Sequence, residues 1–170
     1  MAKINLAILS ALTGLVLASP SGIAVAQQNA LKEQLVGAWR LVSAVVDKDG
    51  QKVEPLGPNP RGAVLFVASG YFSWNMLCGD RPRFTSDSYQ TGTPEENKAA
   101  VQGTISFVGT YTVTSDGSLT LSIIGSNFPN WEGTTRTGKV EINGDEMKFT
   151  TQARYIVPGG TALNIFTRAK

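Results

Sequence analysis

Hydrophobic and polar residues alternate along most of this chain, with a period of two. In the run from 104 to 114, Ile105, Phe107, Tyr111 and Val113 fall on one side, and Thr104, Ser106, Thr110 and Thr112 on the other. Met147 and Phe149 likewise oppose Glu146, Lys148 and Thr150. Such a period marks a strand with one dry and one wet face. The pattern predicts strands near 36–46, 61–68, 71–78, 104–114, 118–125, 134–142, 145–156 and 162–168. Between them stand Asp49-Gly50, Ser69-Gly70, Asp116-Gly117, Asn143-Gly144 and Pro158-Gly159-Gly160, pairs that supply the positive φ of tight hairpin turns. About eight strands in meander order, with no long helix to cover a sheet, predict an all-β fold. An antiparallel up-and-down β-barrel is favoured because closure removes exposed edges, and a two-sheet sandwich is the alternative.

Two short helices interrupt the pattern. One turn or two fits residues 29–34, ahead of the first strand. Thr93-Pro94-Glu95-Glu96 opens the second with a threonine cap, proline at the first helical position and a glutamate placed to return the cap's hydrogen bond. That helix is expected to run to about Val101, inside the connection 79–103, the one large break in the meander. Long connections are where binding and gating residues concentrate.

The chain opens with Met1, Ala2 and the positive Lys3, followed by an apolar stretch over 4–18, the Ser19-Pro20-Ser21-Gly22 segment and an Ala24-Val25-Ala26 end. That order predicts a signal peptide over 1–26, cut after Ala26, and a barrel domain over 27–170 that is secreted or periplasmic. The apolar part is too short to span a membrane, which takes roughly 20 residues, so stable membrane insertion is not expected. Cys78 is the one cysteine, which rules out an internal disulfide and fits a buried thiol better than a reactive one. Fifteen basic and 13 acidic residues show no Lys/Arg cluster, which argues against nucleic acid as a partner. Histidine is absent. That removes Ser-His and Cys-His nucleophilic pairs and the commonest transition-metal ligand. No metal-ligand spacing or phosphate loop appears, so neither a metal nor a cofactor is expected.

The stretch "LVGAWRLVSAVV", 35–46, places Gly37 and Trp39 at the entry to the first strand, after a short helix. This arrangement resembles the lipocalins, in which such a tryptophan plugs the closed barrel end, the glycine lets the chain pass close by, and an arginine near the last strand lies over the indole. The resemblance implies these barrel-closing roles for Gly37, Trp39 and Arg168, and a guanidinium over an indole is worth about 0.5–2 kcal/mol. The ordered stretches "LVGAWRLVS", "PLGPNPRG", "DRPRF", "GTPEE", "FVGTYTV" and "SNFPNWEG" resemble the lipocalin-like domain family of bacteria and fungi, most of whose members have no assigned activity. The threonine-aspartate-tyrosine motif of typical lipocalins is missing. "SLTLSIIG" holds no histidine, so a histidine-dependent role in a relative does not transfer.

These features lead to the expectation of an exported barrel enclosing a small apolar or amphipathic ligand. Candidate ligand-binding residues are Arg61, Tyr71, Trp74, Phe107, Tyr111, Asn127, Phe128, Trp131 and Arg136. Phe128 and Trp131 flank a proline between two strands, either as packing over one barrel end or as an aromatic rim with Asn127 as a polar anchor. Arg61, Arg81 and Arg83 read as solvated charge unless one turns inward to meet a carboxylate. No catalytic residue is assigned. An alternative is a cofactor-independent isomerase or cyclase using Tyr71, Tyr111, Glu132 and Arg136; another is an interaction module with a filled barrel.

Overall fold

Turn chemistry and alternation produce a meander that closes on itself. The computed structural model describes residues 20–154 and 156–170, and of Pro20, Ser21 and Tyr89 the backbone alone. After helix α1 (Pro20–Leu35) come strands β1 (Gly37–Lys48), β2 (Gln51–Val53), β3 (Arg61–Phe66) and β4 (Tyr71–Leu77). Helix α2 (Pro94–Gln102) then precedes β5 (Thr104–Val113), β6 (Ser118–Ser126), β7 (Thr135–Asn143), β8 (Glu146–Gln152) and β9 (Thr161–Arg168). Single 3₁₀ turns stand at Tyr89–Thr91 and Pro129–Trp131. Consecutive strands from β3 to β9 pair antiparallel, and β1 pairs with both β3 and β9. The result is a closed barrel of eight strands, with β2 as a ninth attached to β1. A sandwich is thereby excluded.

Closure rests on β1 serving two neighbours. Residues 37–40 pair with β3 and residues 39–47 with β9. A bulge between Leu41 and Ser43 pushes Val42 out to solvent, so that Trp39 and Leu41 below it and Ala44 and Val46 above it all face the core. The extra residue shifts the alternation by one and bends the strand, which a barrel wall needs. A second bulge, between β5 and β6, leaves Ile124 exposed between the pairs Val108–Gly125 and Gly109–Ile123. A Cβ on Gly109 would lie 1.9 Å from the Ser122 carbonyl oxygen, so only glycine fits there.

One end of the barrel is sealed by Trp39, 0 % exposed. Its indole N–H donates to the Leu35 carbonyl at 2.8 Å, and the Arg168 guanidinium lies 4.1 Å from the ring centroid. That guanidinium also donates to the carbonyls of Gln34 (2.8 Å) and Val36 (3.3 Å), the last carbonyls of the α1 exit. Gly37, at φ +126°, turns the chain from α1 into β1 directly under the Arg168 side chain. Above this seal the lower interior is packed solid. Phe66 meets Tyr111 edge-on at 4.9 Å, and Trp74 contacts Phe107, Phe149 and Phe166 at 5.2–5.8 Å.

Several element bounds differ from those read in the sequence. The helix expected over 29–34 starts at Pro20, because proline and the small residues after it are tolerated in a first turn, where amide hydrogens have no intrahelical partner. It thus crosses the expected cleavage point, while residues 1–19 of the expected leader lie outside the described residues. The strand expected over 145–156 ends at Gln152. Pro158 cannot donate to a ladder, and a turn from Ala153 to Gly160 (Ala153 N–H to Gly160 carbonyl, 2.8 Å) replaces the pairing. β2 has no buried position, so it left no alternation to read. The second helix matches its signature: the Thr93 hydroxyl accepts from the Glu96 amide, and Glu96 accepts from the Thr93 amide.

Two outcomes follow from these contacts. Arg168→Ala removes a cation-π contact and two charge-assisted hydrogen bonds, so chemical denaturation should show a loss of about 2–4 kcal/mol, partly restored in Arg168→Lys. In the β5–β6 turn, Asp116 accepts from the Thr114 hydroxyl and from the Ser118 hydroxyl and amide, with Lys139 at 3.6 Å. These bonds hold its carboxyl far below the usual range. Because the folded-state value is depressed, the stabilisation is complete above the unfolded value of about 3.9 and is lost as pH falls toward the folded one. Asp116→Asn should therefore lower Tm at neutral pH, and that difference should shrink in strong acid, as thermal melts across pH can show.

Candidate functional site

The open end lies opposite the seal, and its shape is set by three connections. The turn Glu54–Gly57, closed by a 3.0 Å bond from the Gly57 amide to the Glu54 carbonyl, carries Pro55 and drives Leu56 into the mouth, where it is buried. This turn is the local sense of "PLGPNPRG". Helix α2 forms a second wall and presents Val101 and Gln102. Its capping glutamate also accepts from the amide (2.7 Å) and hydroxyl (2.9 Å) of Thr85, which ties the long connection to the helix; the Thr93 amide first, and these Thr85 bonds after it, lower the carboxyl's pKa. The third wall is the Pro129–Trp131 turn, where Phe128 and Trp131 meet edge-on at 5.4 Å.

Two adjoining spaces result. The inner one, within the upper barrel, is only about 40 Å³ and is bounded by residues such as Ala44, Trp74, Met76, Arg136 and Asn164. The outer groove at the mouth is about 510 Å³. Pro55, Leu56, Ile105 and Ile156 line both, so they form the passage between them. A third crevice of about 170 Å³ opens between β7 and β8, and Arg136, Thr151, Gln152 and Arg154 border both it and the inner space.

The polar groups of the inner space are few. Asn164 is the one buried polar residue among the described residues, 6 % exposed. The Trp74 indole N–H is buried without an acceptor. Arg136 sits on the inward face of β7, opposite Leu121, with its guanidinium 3.8 Å from the Trp131 ring centroid and 5.1 Å from that of Phe107. None of the described residues lining these three spaces is acidic.

The sequence candidates divide accordingly. Trp74, Phe107 and Arg136 line the inner space, and Asn127, Phe128 and Trp131 the groove. Asn127 has its amide committed to the backbone, donating to the Thr104 carbonyl (3.0 Å) and accepting from the Ser106 amide (2.8 Å), so it ties β5 to β6. Tyr111 lies in the packed lower half, where its hydroxyl donates to the Val67 carbonyl at 3.1 Å and burial raises its pKa. Tyr71 is 56 % exposed, and Arg61 lies outside the barrel in a surface pocket with Arg81, Arg83 and half-buried Cys78. The four groups of the isomerase alternative are therefore not brought together, and Glu132 is spent on the Ser126 amide at 3.2 Å. Leu56, Ile105, Arg154, Ile156 and Asn164 were not anticipated. The Pro-x-Gly turn around Leu56 and the strand parity shared by Asn164, Ala162 and Phe166 were the available signals.

A closed antiparallel barrel, sealed at one end by a helix-capped tryptophan and open at the other through an apolar mouth, defines a lipocalin-type protein. The chain belongs to the lipocalin-like domain family, whose model matches residues 36–167. Among solved structures it is similar to an uncharacterized protein from Bacteroides eggerthii, 18 % identical, over 79 % of this chain and 99 % of that one, with a TM-score of 0.39. No curated protein matches it by sequence. No described helix is long and apolar enough to cross a membrane.

Proposed function

We propose that this is an exported protein that binds a small apolar or amphipathic molecule through the open mouth of its barrel. The observation that carries the reading is the groove of about 510 Å³, on which exposed Val101, Phe128 and Ile156 converge beside buried Leu56. That volume lies in the usual range for small-molecule sites, about 300–1,000 Å³. Solvent-facing apolar side chains gathered around a concavity are the mark of a surface that gains by being covered. The packed lower barrel limits deep entry, so the ligand's bulk rests at the mouth rather than along the barrel axis. Affinity comes from apolar area removed from water, at about 25 cal/mol per Å² before ordering costs.

Export is supported by the amino-terminal pattern, and removal of residues 1–26 is compatible with the seal. Leu31 and Leu35, the α1 residues packed against the core, both lie beyond Ala26. The protein recovered from outside the cytoplasm should begin at Gln27 by intact mass, and a chain retaining Met1 there would overturn this part.

For binding, a neutral naphthylamine fluorophore titrated into the protein should brighten with saturation. Phe128→Ala should weaken it by about 1 kcal/mol, roughly fivefold, through lost apolar contact. Absence of saturable binding to the intact protein by this fluorophore, fatty alcohols and aromatic acids together would refute the reading.

A further inference from the structure

The outer wall of the barrel carries a second concavity, which apolar binding at the mouth leaves unused. Beyond β4 the chain turns through Cys78 and Gly79 and passes Arg81 and Arg83 on its way to α2. Arg61 opens β3 opposite Leu77, the residue before Cys78, so one strand pair brings it beside this turn. The three arginines and the half-buried Cys78 border a pocket of about 340 Å³ that Phe84 and Ala100 also line. It shares no lining residue with the inner space or with the groove at the mouth.

Like charges gathered on one wall repel, and interleaved carboxylates ordinarily relieve this. Here no acidic residue borders the pocket among the described residues. Asp80 precedes Arg81 in the chain without lining the space, and Glu96 accepts from Thr85 and Thr93 instead. The ion pairs among the described residues are made by Lys139, Lys148, Arg168 and Lys170, none of which belongs to this wall. The segment is also fixed in place. The Cys78 amide donates to the Gly103 carbonyl at 2.9 Å, and a Cβ on Gly79 would lie 2.1 Å from the Asn59 carbonyl oxygen, so two connections pack backbone to backbone. A Cβ on Gly103 would lie 2.8 Å from Cγ and Cδ of Arg81, whose stem rests against that glycine while its guanidinium donates to the Thr104 hydroxyl at 3.1 Å. Cations set in position beforehand lower the ordering cost of binding.

A guanidinium presents its N–H groups as a rigid planar fork that matches oxyanions through paired hydrogen bonds. Each of these arginines is exposed, and one exposed charge attracts weakly through water, so the pocket favours a ligand on which several act at once. A carboxylate offers a single charge. A phosphate monoester carries close to two at neutral pH, with three acceptor oxygens. The pocket is roomier than a phosphoryl group requires, and Phe84 and Ala100 supply an apolar side for the group that bears it. We propose that this pocket binds a small organic phosphate monoester, with the phosphoryl group among Arg61, Arg81 and Arg83 and the organic part against Phe84. The site is separate from that of the apolar ligand at the mouth.

Calorimetric titration of the intact protein at low ionic strength compares phenyl phosphate, benzoate and phenol. Phenyl phosphate is expected to saturate a single site, benzoate to bind at least about fivefold more weakly, and phenol not to saturate. Added salt should weaken the phosphate, because exposed charges are screened. Cys78, the sole cysteine, reports the location. Phenyl phosphate should slow its alkylation by iodoacetamide, read by intact mass, over the concentrations that saturate the titration. Anionic sulfonatoethyl methanethiosulfonate should label it about tenfold faster than the cationic trimethylammonioethyl analogue, each rate taken relative to a free thiol. Arg61→Gln and Arg83→Gln should each reduce phosphate affinity and the reagent preference by about threefold or more, with Tm and naphthylamine binding unchanged. Absence of saturable phenyl phosphate binding, or binding no tighter than that of benzoate, overturns the proposal, as does affinity that survives both substitutions together. Displacement of the mouth fluorophore by phenyl phosphate without protection of Cys78 also overturns it, by placing the anion in the barrel. Sedimentation with phosphatidic acid vesicles but not phosphatidylcholine vesicles, without binding of free phenyl phosphate, overturns it in favour of a lipid surface.

Discussion

The structure depends on β1 being hydrogen-bonded on both sides. A meander of strands has two open edges, each a row of unpaired amides and carbonyls that would template association. Here the first strand, long enough at 12 residues to meet β3 with its start and β9 with most of its length, removes both. The bulge at Val42 makes this possible, because a regular strand cannot bend enough while keeping Trp39, Leu41, Ala44 and Val46 all inward. The Trp39–Arg168 stack then links the two strands that closure joins, since the two residues are direct cross-strand partners. Seal and closure are thus one event, and α1 is drawn into it through the carbonyls of Gln34, Leu35 and Val36.

Where the interior is filled decides where function can sit. An aromatic chain runs from Tyr111 through Phe66, Phe72 and Phe107 to Trp131 and Phe128, ring to ring, from the sealed half to the mouth. Each such pair adds about 0.5–1.5 kcal/mol beyond area burial. In the upper barrel, packing gives way to a void of about 40 Å³, which by the cost of residual cavities is worth on the order of 1 kcal/mol of lost stability. The barrel is thus well packed below and less completely filled above.

Strand order, turns and the α2 cap were legible because each follows from local chemistry. Glycine pairs fix turns, and Thr93 with Glu96 fixes a helix start wherever the rest of the chain goes. The bulges at Val42 and Ile124 were not legible, since each is the response of a strand to wall curvature that only the closed barrel imposes. Which face of β7 points inward was equally hidden. Arg136 and Gly138 share the core face with Val140 and Ile142, so the inward pattern reads as charged, small, apolar, apolar rather than as a dry stripe. Leu56 was hidden for the opposite reason: it belongs to a loop, and its burial depends on a mouth formed by strands far away in sequence.

That inward arginine explains why overall charge says little about this site. Fifteen basic and 13 acidic residues nearly cancel, and the arginine-rich surface pocket near Cys78 is the more conspicuous positive feature in the sequence. Yet Arg61, Arg81 and Arg83 are exposed, where a unit charge 4 Å away feels about 1 kcal/mol in water. Arg136 is half-buried against two aromatic rings, and at an effective dielectric near 20 the same separation is worth about 4 kcal/mol. Its charge is also aimed at a space from which the described acidic residues are absent. The aromatic packing of the barrel thus holds one arginine in a low-dielectric wall, where a unit charge acts more strongly than it does in solvent.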